Sequence, residues 1–261
     1  MEKSTIIGLV LGVVSVFVGM VLKGASLSVL INPAAFLIII AGTVACLFNG
    51  FPMESIKAFP SIARQLFKPS VLMAKTELVP LFVELSQTAR REGILALESR
   101  VEEVSDPFLK NGLTMVIDGL DPDFVGDVLD AEIQNMEERH RTGISIFTQA
   151  GTYAPTLGVL GAVIGLIAAL GNLDDIEKLG HSIAAAFVAT LLGIFTGYVI
   201  WHPFANKLKI LSKKEAEIKK MMIEGILSLQ AGDSPTAIEA KLVAFIPQNE
   251  RAQLKPKSEE D

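Results

Sequence analysis

GTYAPTLGVLGAVIGLIAALGNL (residues 151–173) contains no Asp, Glu, Lys or Arg, and after a short charged interruption SIAAAFVATLLGIFTGYVIWHP (182–203) contains none either. A helix needs about 20 mostly apolar residues to cross the hydrocarbon core of a bilayer, and each stretch supplies that length. Outward from this pair, no residue of those four types lies between Lys23 and Glu54, so 33–51 fits another span, and STIIGLVLGVVSVFVGMVL (4–22) fits a first. The pattern predicts an all-α membrane protein with four transmembrane helices, arranged as hairpins at 1–51 and 149–206. Residues 52–148 lie between the hairpins and 207–261 follow the second. An even number of spans puts both termini on one side.

Half of the 261 residues are hydrophobic and 20% are charged, so the two kinds must be segregated along the chain. A net charge of -6 argues against a nucleic-acid binder, which displays a clustered basic face. Cys46 stands alone in an apolar run, so no disulfide framework forms within one chain and its role is packing. Lys3 ahead of the first apolar run imitates a secretory signal, but no A-x-A site follows and a second span comes almost at once. The run is read as a retained span.

Basic residues near span ends set the orientation. Lys3, Lys57, Arg64, Lys68, Arg139, Arg141, Lys207, Lys209, Lys213, Lys214, Lys219 and Lys220 fall on one side, and only Lys23 and Lys178 flank the other. The positive-inside bias makes the crowded side cytoplasmic, termini included. The outer loops, 24–32 and 171–181, are too short to hold a domain, so function outside the membrane must be cytoplasmic.

Residues 52–148 mix helical apolar spacing with breakers at Pro60, Pro69, Gly93, Pro107, Gly119 and Pro122, which predicts a helical cytoplasmic domain. Leu78, Leu81, Phe82 and Leu85 share one face, Arg90, Arg91 and Glu92 precede a corner at Gly93, and a short helix carries Leu95, Leu97, Glu98 and Val101. Phe124, Val128, Leu129, Ile133 and Met136 keep helical spacing up to His140 with no proline before Pro155, so this helix is expected to continue into the third span. Leu208, Leu211, Ile218, Met222, Ile226 and Leu229 extend the fourth span in the same way. The division thus leaves 207–261 as a cytoplasmic helix and a tail, which from Gln248 to the closing KPKSEED is polar enough to stay disordered. Neither Walker A, GxGxxG nor HExxH occurs, and His140, His181 and His202 are too scattered for a metal. No nucleophile and base constellation suggests an enzyme, and no resident cofactor or metal is expected.

Within the spans, Ala185, Ala189, Gly193 and Gly197 recur at four-residue intervals, and Gly158, Gly161 and Gly165 at three or four. Such ladders let helix backbones approach closely in lipid. They pack two helices of one subunit, or they build a ring or a groove for a partner helix. Pro155 and Pro203 each remove a backbone donor, which membrane helices tolerate where a neighbour, a hydroxyl or water meets the freed group. Thr152, Tyr153, Thr156, Thr190 and Thr196 supply the nearby polar groups, although a threonine in a helix commonly bonds its own backbone. Proton relays and pumps rest on ionisable groups at membrane depth, and these spans have none. Either a second polypeptide brings a carboxylate to an ion path, or the spans are an anchor.

The runs QAGTYAPTLGVLGAVIGLIAAL (149–170) and AAFVATLLGIFTGYVIWHPFANKL (185–208) resemble the third and fourth spans of the MotA family of flagellar stator subunits, and NPAAFLIIIAG (32–42) and RREGILALE (90–98) extend the likeness over nearly the whole chain. The resemblance implies an ion channel coupled to mechanical work in the bacterial inner membrane, a pentamer around a MotB dimer whose spans carry an ion-binding aspartate. By the same resemblance Pro155 and Pro203 couple ion passage to movement, Thr190 lines the ion path, and Arg90 and Glu98 engage the rotor protein FliG. Sodium-type relatives tend to carry a threonine where this chain has Ala162. A proton needs no such hydroxyl cage, which points to H+ over Na+. The alternatives are a sodium-driven stator of the same type, or an energiser of the ExbB/TolQ kind, which has three spans and a different arrangement around its cytoplasmic domain.

Overall fold

The structure, a computed structural model, describes residues 3–68 and 72–251. All its regular elements are helical. Four helices are long and apolar enough to span a membrane: α1 (Lys3–Leu22), α2 (Pro33–Gly50), α7 (Pro122–Leu170) and α8 (Ile176–Gln230). The expected continuation of the last two is present, as α7 has 49 residues and α8 has 55. Between α2 and α7 in the chain come α3 (Met53–Phe67), α4 (Lys75–Glu92), α5 (Glu98–Glu102) and α6 (Pro107–Ile117), and α9 (Pro235–Val243) follows α8.

These helices form two compact units, one from 3–68 and 139–211, the other from 72–138 and 212–251. The borders differ from those drawn at 51, 148 and 206. Residues 53–67 and 139–148 pack with the spans, because α3 buries an apolar face among residues in the middle of α7 and α8.

In the span unit, a face of α1 meets α8 where Gly12 leaves room for Val199, and α2 meets α7 where Gly42 leaves room for Leu157. α2 begins at Asn32, whose Oδ1 accepts a hydrogen bond from the Ala35 N–H at 3.1 Å, with Pro33 in its first turn. Its second turn widens into a π-helical segment, Leu37–Ala41. Pro60 is not a breaker, contrary to the sequence reading, because α3 runs on through it. The proline sits on the exposed side, and the apolar face of Ile56, Phe59, Ile62 and Leu66 keeps its contacts. Phe59 stacks on Phe147 with centroids 5.0 Å apart, and Phe67 meets Phe204 edge-on at 6.1 Å.

The other unit has a core of large side chains, in which Leu78, Phe82, Leu97, Leu109, Leu129, Ile133, Met221, Ile226 and Leu242 are buried. Pro107, Gly119 and Pro122 do end or begin elements: Asp106 Oδ1 caps α6 at the Leu109 N–H (3.0 Å) ahead of Pro107, Gly119 has φ +75°, and Pro122 opens α7. Pro69 and residues 252–261, most of the expected disordered tail, lie outside the described residues. The segment after α8 is not all tail: α9 starts at Ser234, which caps Ala237 N–H at 3.2 Å, and buries Ile238 and Leu242, followed by Ile246. Lys75 ties α4 to the segment after α9 and to α8, donating to the Phe245 carbonyl at 3.3 Å and to Glu217 at 3.0 Å. That bond, with the lysine's charge, holds the Glu217 carboxyl below its usual range.

Candidate functional site

α7 and α8 meet along small side chains. A methyl group placed on Gly158 would lie 2.8 Å from the Ala189 carbonyl oxygen, and one on Gly193 would lie 2.7 Å from the Ala154 carbonyl oxygen. Gly161 faces Ala189 and Gly165 faces Ala186. The ladder therefore packs two helices of one chain. Ala185 is the exception: the rung opposite Gly165 is Ala186, and Ala185 lines a separate cavity with Ser28, Asn32 and His181. At 3.6 residues per turn a strict four-residue spacing drifts around the helix, which moves the contact from 185 to 186.

Pro155 has no N–H to give the carbonyl of Gly151, the residue four positions earlier. Gly197 packs onto this place, where an added methyl would lie 2.6 Å from Pro155 Cγ and 2.9 Å from the Gly151 oxygen. At the same level α8 widens into a π-helical segment, Thr196–Trp201, closed by the His202 N–H donating to the Gly197 carbonyl. Pro203 follows at once, and the His202 ring covers Gly151, 2.9 Å from where its methyl would be. The two prolines thus frame one helix crossing, Pro155 packed within it and Pro203 exposed at its edge. Single-turn π segments recur at functional positions in helices.

The hydroxyls bond their own helices. Thr190 donates to the Ala186 carbonyl (3.3 Å), Thr196 to Leu192 (2.8 Å), Thr152 to Thr148 (3.1 Å) and Thr156 to Thr152 (3.2 Å). Each has spent its proton and keeps acceptor lone pairs on the oxygen. Thr152 and Thr156 stand on an exposed stripe of α7 with Val159 and Val163, and Thr190 stands half-buried on a stripe of α8 with Phe187, Ile194 and Tyr198. Ala162 is half-buried and follows Gly161, as Thr190 follows Ala189 at the same contact. Such a surface can accept hydrogen bonds from a hydrated proton or cation and cannot itself hold a charge.

In the other unit, α4 ends at Gly93 with φ +89° and ψ 162°, backbone that glycine adopts readily. A 3-10 turn, Ile94–Leu97, then leads into α5, and buried Leu97 and Val101 pin this corner to the core. Arg90 and Glu98 remain exposed on its two flanks, and neither has an ion-pair partner among the described residues. Arg100 pairs instead with Glu84 and, at 3.6 Å, with Glu103, a brace across the corner that spacing alone did not reveal. Beside Arg90 lies a cavity of about 310 Å³ lined by Ser86, Ile94, Gln230 and Asp233. A hydrogen bond from Lys241 (2.9 Å) holds the Asp233 carboxyl low. No group of His, Cys, Asp and Glu among the described residues could hold a metal ion.

Residues 6–93 match the family described as Motility protein A N-terminal, and residues 100–221 match the MotA/TolQ/ExbB proton channel family. The chain is 55% identical to Motility protein A of Bacillus subtilis over 99% of its length and 96% of that protein's. It is 31% identical to the chemotaxis protein PomA of Vibrio alginolyticus over 97% of this chain and 98% of that one. Among solved structures, a chain of the flagellar MotAB stator complex from Bacillus subtilis superposes with a TM-score of 0.91 at 56% identity, covering 96% of this chain and 99% of that one. A chain of the C. jejuni MotAB structure superposes with a TM-score of 0.90 at 32% identity, covering 95% and 97%. With both family regions present in order and relatives matched end to end, the chain belongs to the motility protein A family, within the MotA/TolQ/ExbB proton channel family.

Proposed function

We propose that this chain is the ion-channel and force-generating subunit of a flagellar stator, and that a MotB-type partner supplies the carboxylate its spans lack. The observation that carries the reading is the charge-free face of α7 and α8, where threonine oxygens with spent protons lie near a crossing framed by Pro155 and Pro203. A pentamer of such chains around a MotB dimer would line an ion path with acceptors, Thr190 among them, while the partner's aspartate takes and releases the ion. The transported ion is H+, since Ala162 places no hydroxyl to replace water around Na+. The chain lies in the inner membrane with both termini cytoplasmic, an orientation that the bias of basic residues toward one side supports.

Arg90 and Glu98, displayed on a rigid corner, are the contacts to the rotor protein FliG. Exposed ion pairs contribute about 0–1 kcal/mol, so such contacts can be made and remade at each step. Rotation of tethered cells expressing the chain with its partner tests this. Arg90→Glu combined with Glu98→Lys is expected to lower torque severely while membrane levels hold, and unchanged torque would overturn the rotor assignment. Swimming speed at fixed proton-motive force is expected to be independent of external Na+; a steep Na+ requirement would overturn the ion assignment.

A further inference from the structure

α3 starts immediately after α2, and near its other end the Leu66 carbonyl accepts a hydrogen bond from Thr5 Oγ1, 3.2 Å away in the first turn of α1. Those two span ends lie on one side of the membrane, because α1 and α2 form a hairpin. A 15-residue helix, about 22 Å long, joined to that side at both ends must run along the membrane surface. Its apolar face is buried against the middle of α7, at Phe147, and of α8, at Trp201, Phe204 and Leu208. Lys57, Ser61, Arg64 and Lys68, at spacings of four, three and four, form the opposite row; all are exposed, and the three cations make no ion pair among the described residues. Glu54, one turn before Lys57, is the one acid on the helix.

Beside this row, between α3 and α2, is a cavity of about 350 Å³ whose wall includes Ile40, Val44, Leu47, Phe48 and Phe59. Pro60 belongs both to that wall and to the exposed side of α3, between Lys57 and Arg64 in sequence. The wall also holds Thr43, whose hydroxyl is buried without a hydrogen-bond partner among the described residues. Cations at the membrane surface above an apolar slot match the two halves of one molecule. We propose that this flank of α3 binds an anionic phospholipid, its phosphate between Lys57 and Arg64 and an acyl chain in the slot against α2. The inner wall of the slot includes Trp201, the last residue of the π segment at the α7–α8 crossing, but lipid binding requires no ion passage, so the proposal stands whether or not the ion path is assigned correctly.

Native mass spectrometry of the purified complex with its partner, titrated with dioleoyl phosphatidylglycerol or dioleoyl phosphatidylcholine, tests this. Retained phosphatidylglycerol is expected in clear excess over phosphatidylcholine. Lys57→Gln with Arg64→Gln is expected to weaken phosphatidylglycerol binding about thirty-fold, the effect of two basic residues at an anionic surface, and Lys110→Gln, exposed in the other unit, should not change it. Val44→Trp, which fills the slot and leaves the cations, is expected to weaken both lipids. Equal retention of the two lipids, or variants that bind like the parent, would overturn the proposal, as would loss confined to the charge variant. Torque enters none of these readouts.

Discussion

The two units of this chain solve opposite problems. In the unit of α4, α6 and α9 large apolar side chains point inward and charges outward, so that Leu113 is 1% exposed. Among the spans of the other unit most large side chains point outward and the backbones touch: Leu11 is 62% exposed, Thr5 is the one buried residue of α1, and glycines mark the contact of α7 with α8. Water drives the first arrangement by the hydrophobic effect. In lipid that force between helices is absent, and close van der Waals packing of small residues replaces it. Hence a charge is cheap on the corner at Gly93 and costly on the membrane face of α7.

The same substitution in the two units should expose the difference most strongly. Leu113→Ala is expected to cost about 2–5 kcal/mol, and Leu11→Ala less than about 0.5 kcal/mol, read from unfolding of the purified complex in detergent. Equal costs would break the distinction. Glycine gives a sharper form of it. Gly193→Ala should cost about 1–3 kcal/mol by overpacking, because its methyl would lie 2.7 Å from the Ala154 carbonyl oxygen. Gly93→Ala has open space and should cost a similar 1–3 kcal/mol through its φ of +89° alone. Gly193→Ala should therefore loosen the spans while leaving the other unit folded, and Gly93→Ala the reverse, as limited proteolysis of each would show.

How much of this the sequence could reveal depended on what wrote the pattern. The spans were legible because a charged residue at bilayer depth is costly, and the long α7 and α8 because Val128 to Met136 and Leu208 to Leu229 keep helical period across many turns. The place of α3 was not legible: Pro60 reads as a breaker when tertiary packing keeps the helix, and a cationic amphipathic helix looks alike in water and at a membrane surface. α9 rests on Ile238, Leu242 and Ile246, too few turns for a period to stand out. The candidate site residues stood in the sequence as separate marks, while their meeting did not, since no local rule foretells the π turn at Thr196–Trp201 or the seat of Gly197 on Pro155.

Smaller effects follow from the ion pairs. Glu217 and Asp233 are held low by Lys75 and Lys241, so they contribute stability that is present above the ordinary carboxylate range of about 4 and lost as pH falls through their lower folded values. Melting followed from pH 7 toward pH 3 should show the unit that contains them weakening first, with the uncharged α7–α8 contact persisting. Arg100→Gln, which removes an exposed pair to Glu84, should also have a small effect of about 0–1 kcal/mol, measurable as a slight drop in the melting temperature of that unit.

The central claim is that the spans are half of an ion path. Proton uptake into vesicles under an imposed membrane potential measures it directly, with this chain reconstituted alone, with its MotB-type partner, and with that partner's span aspartate changed to asparagine. Uptake is expected only with the unaltered partner. Equal uptake by the chain alone would contradict the account, because it would mean that a path without an ionisable side chain suffices.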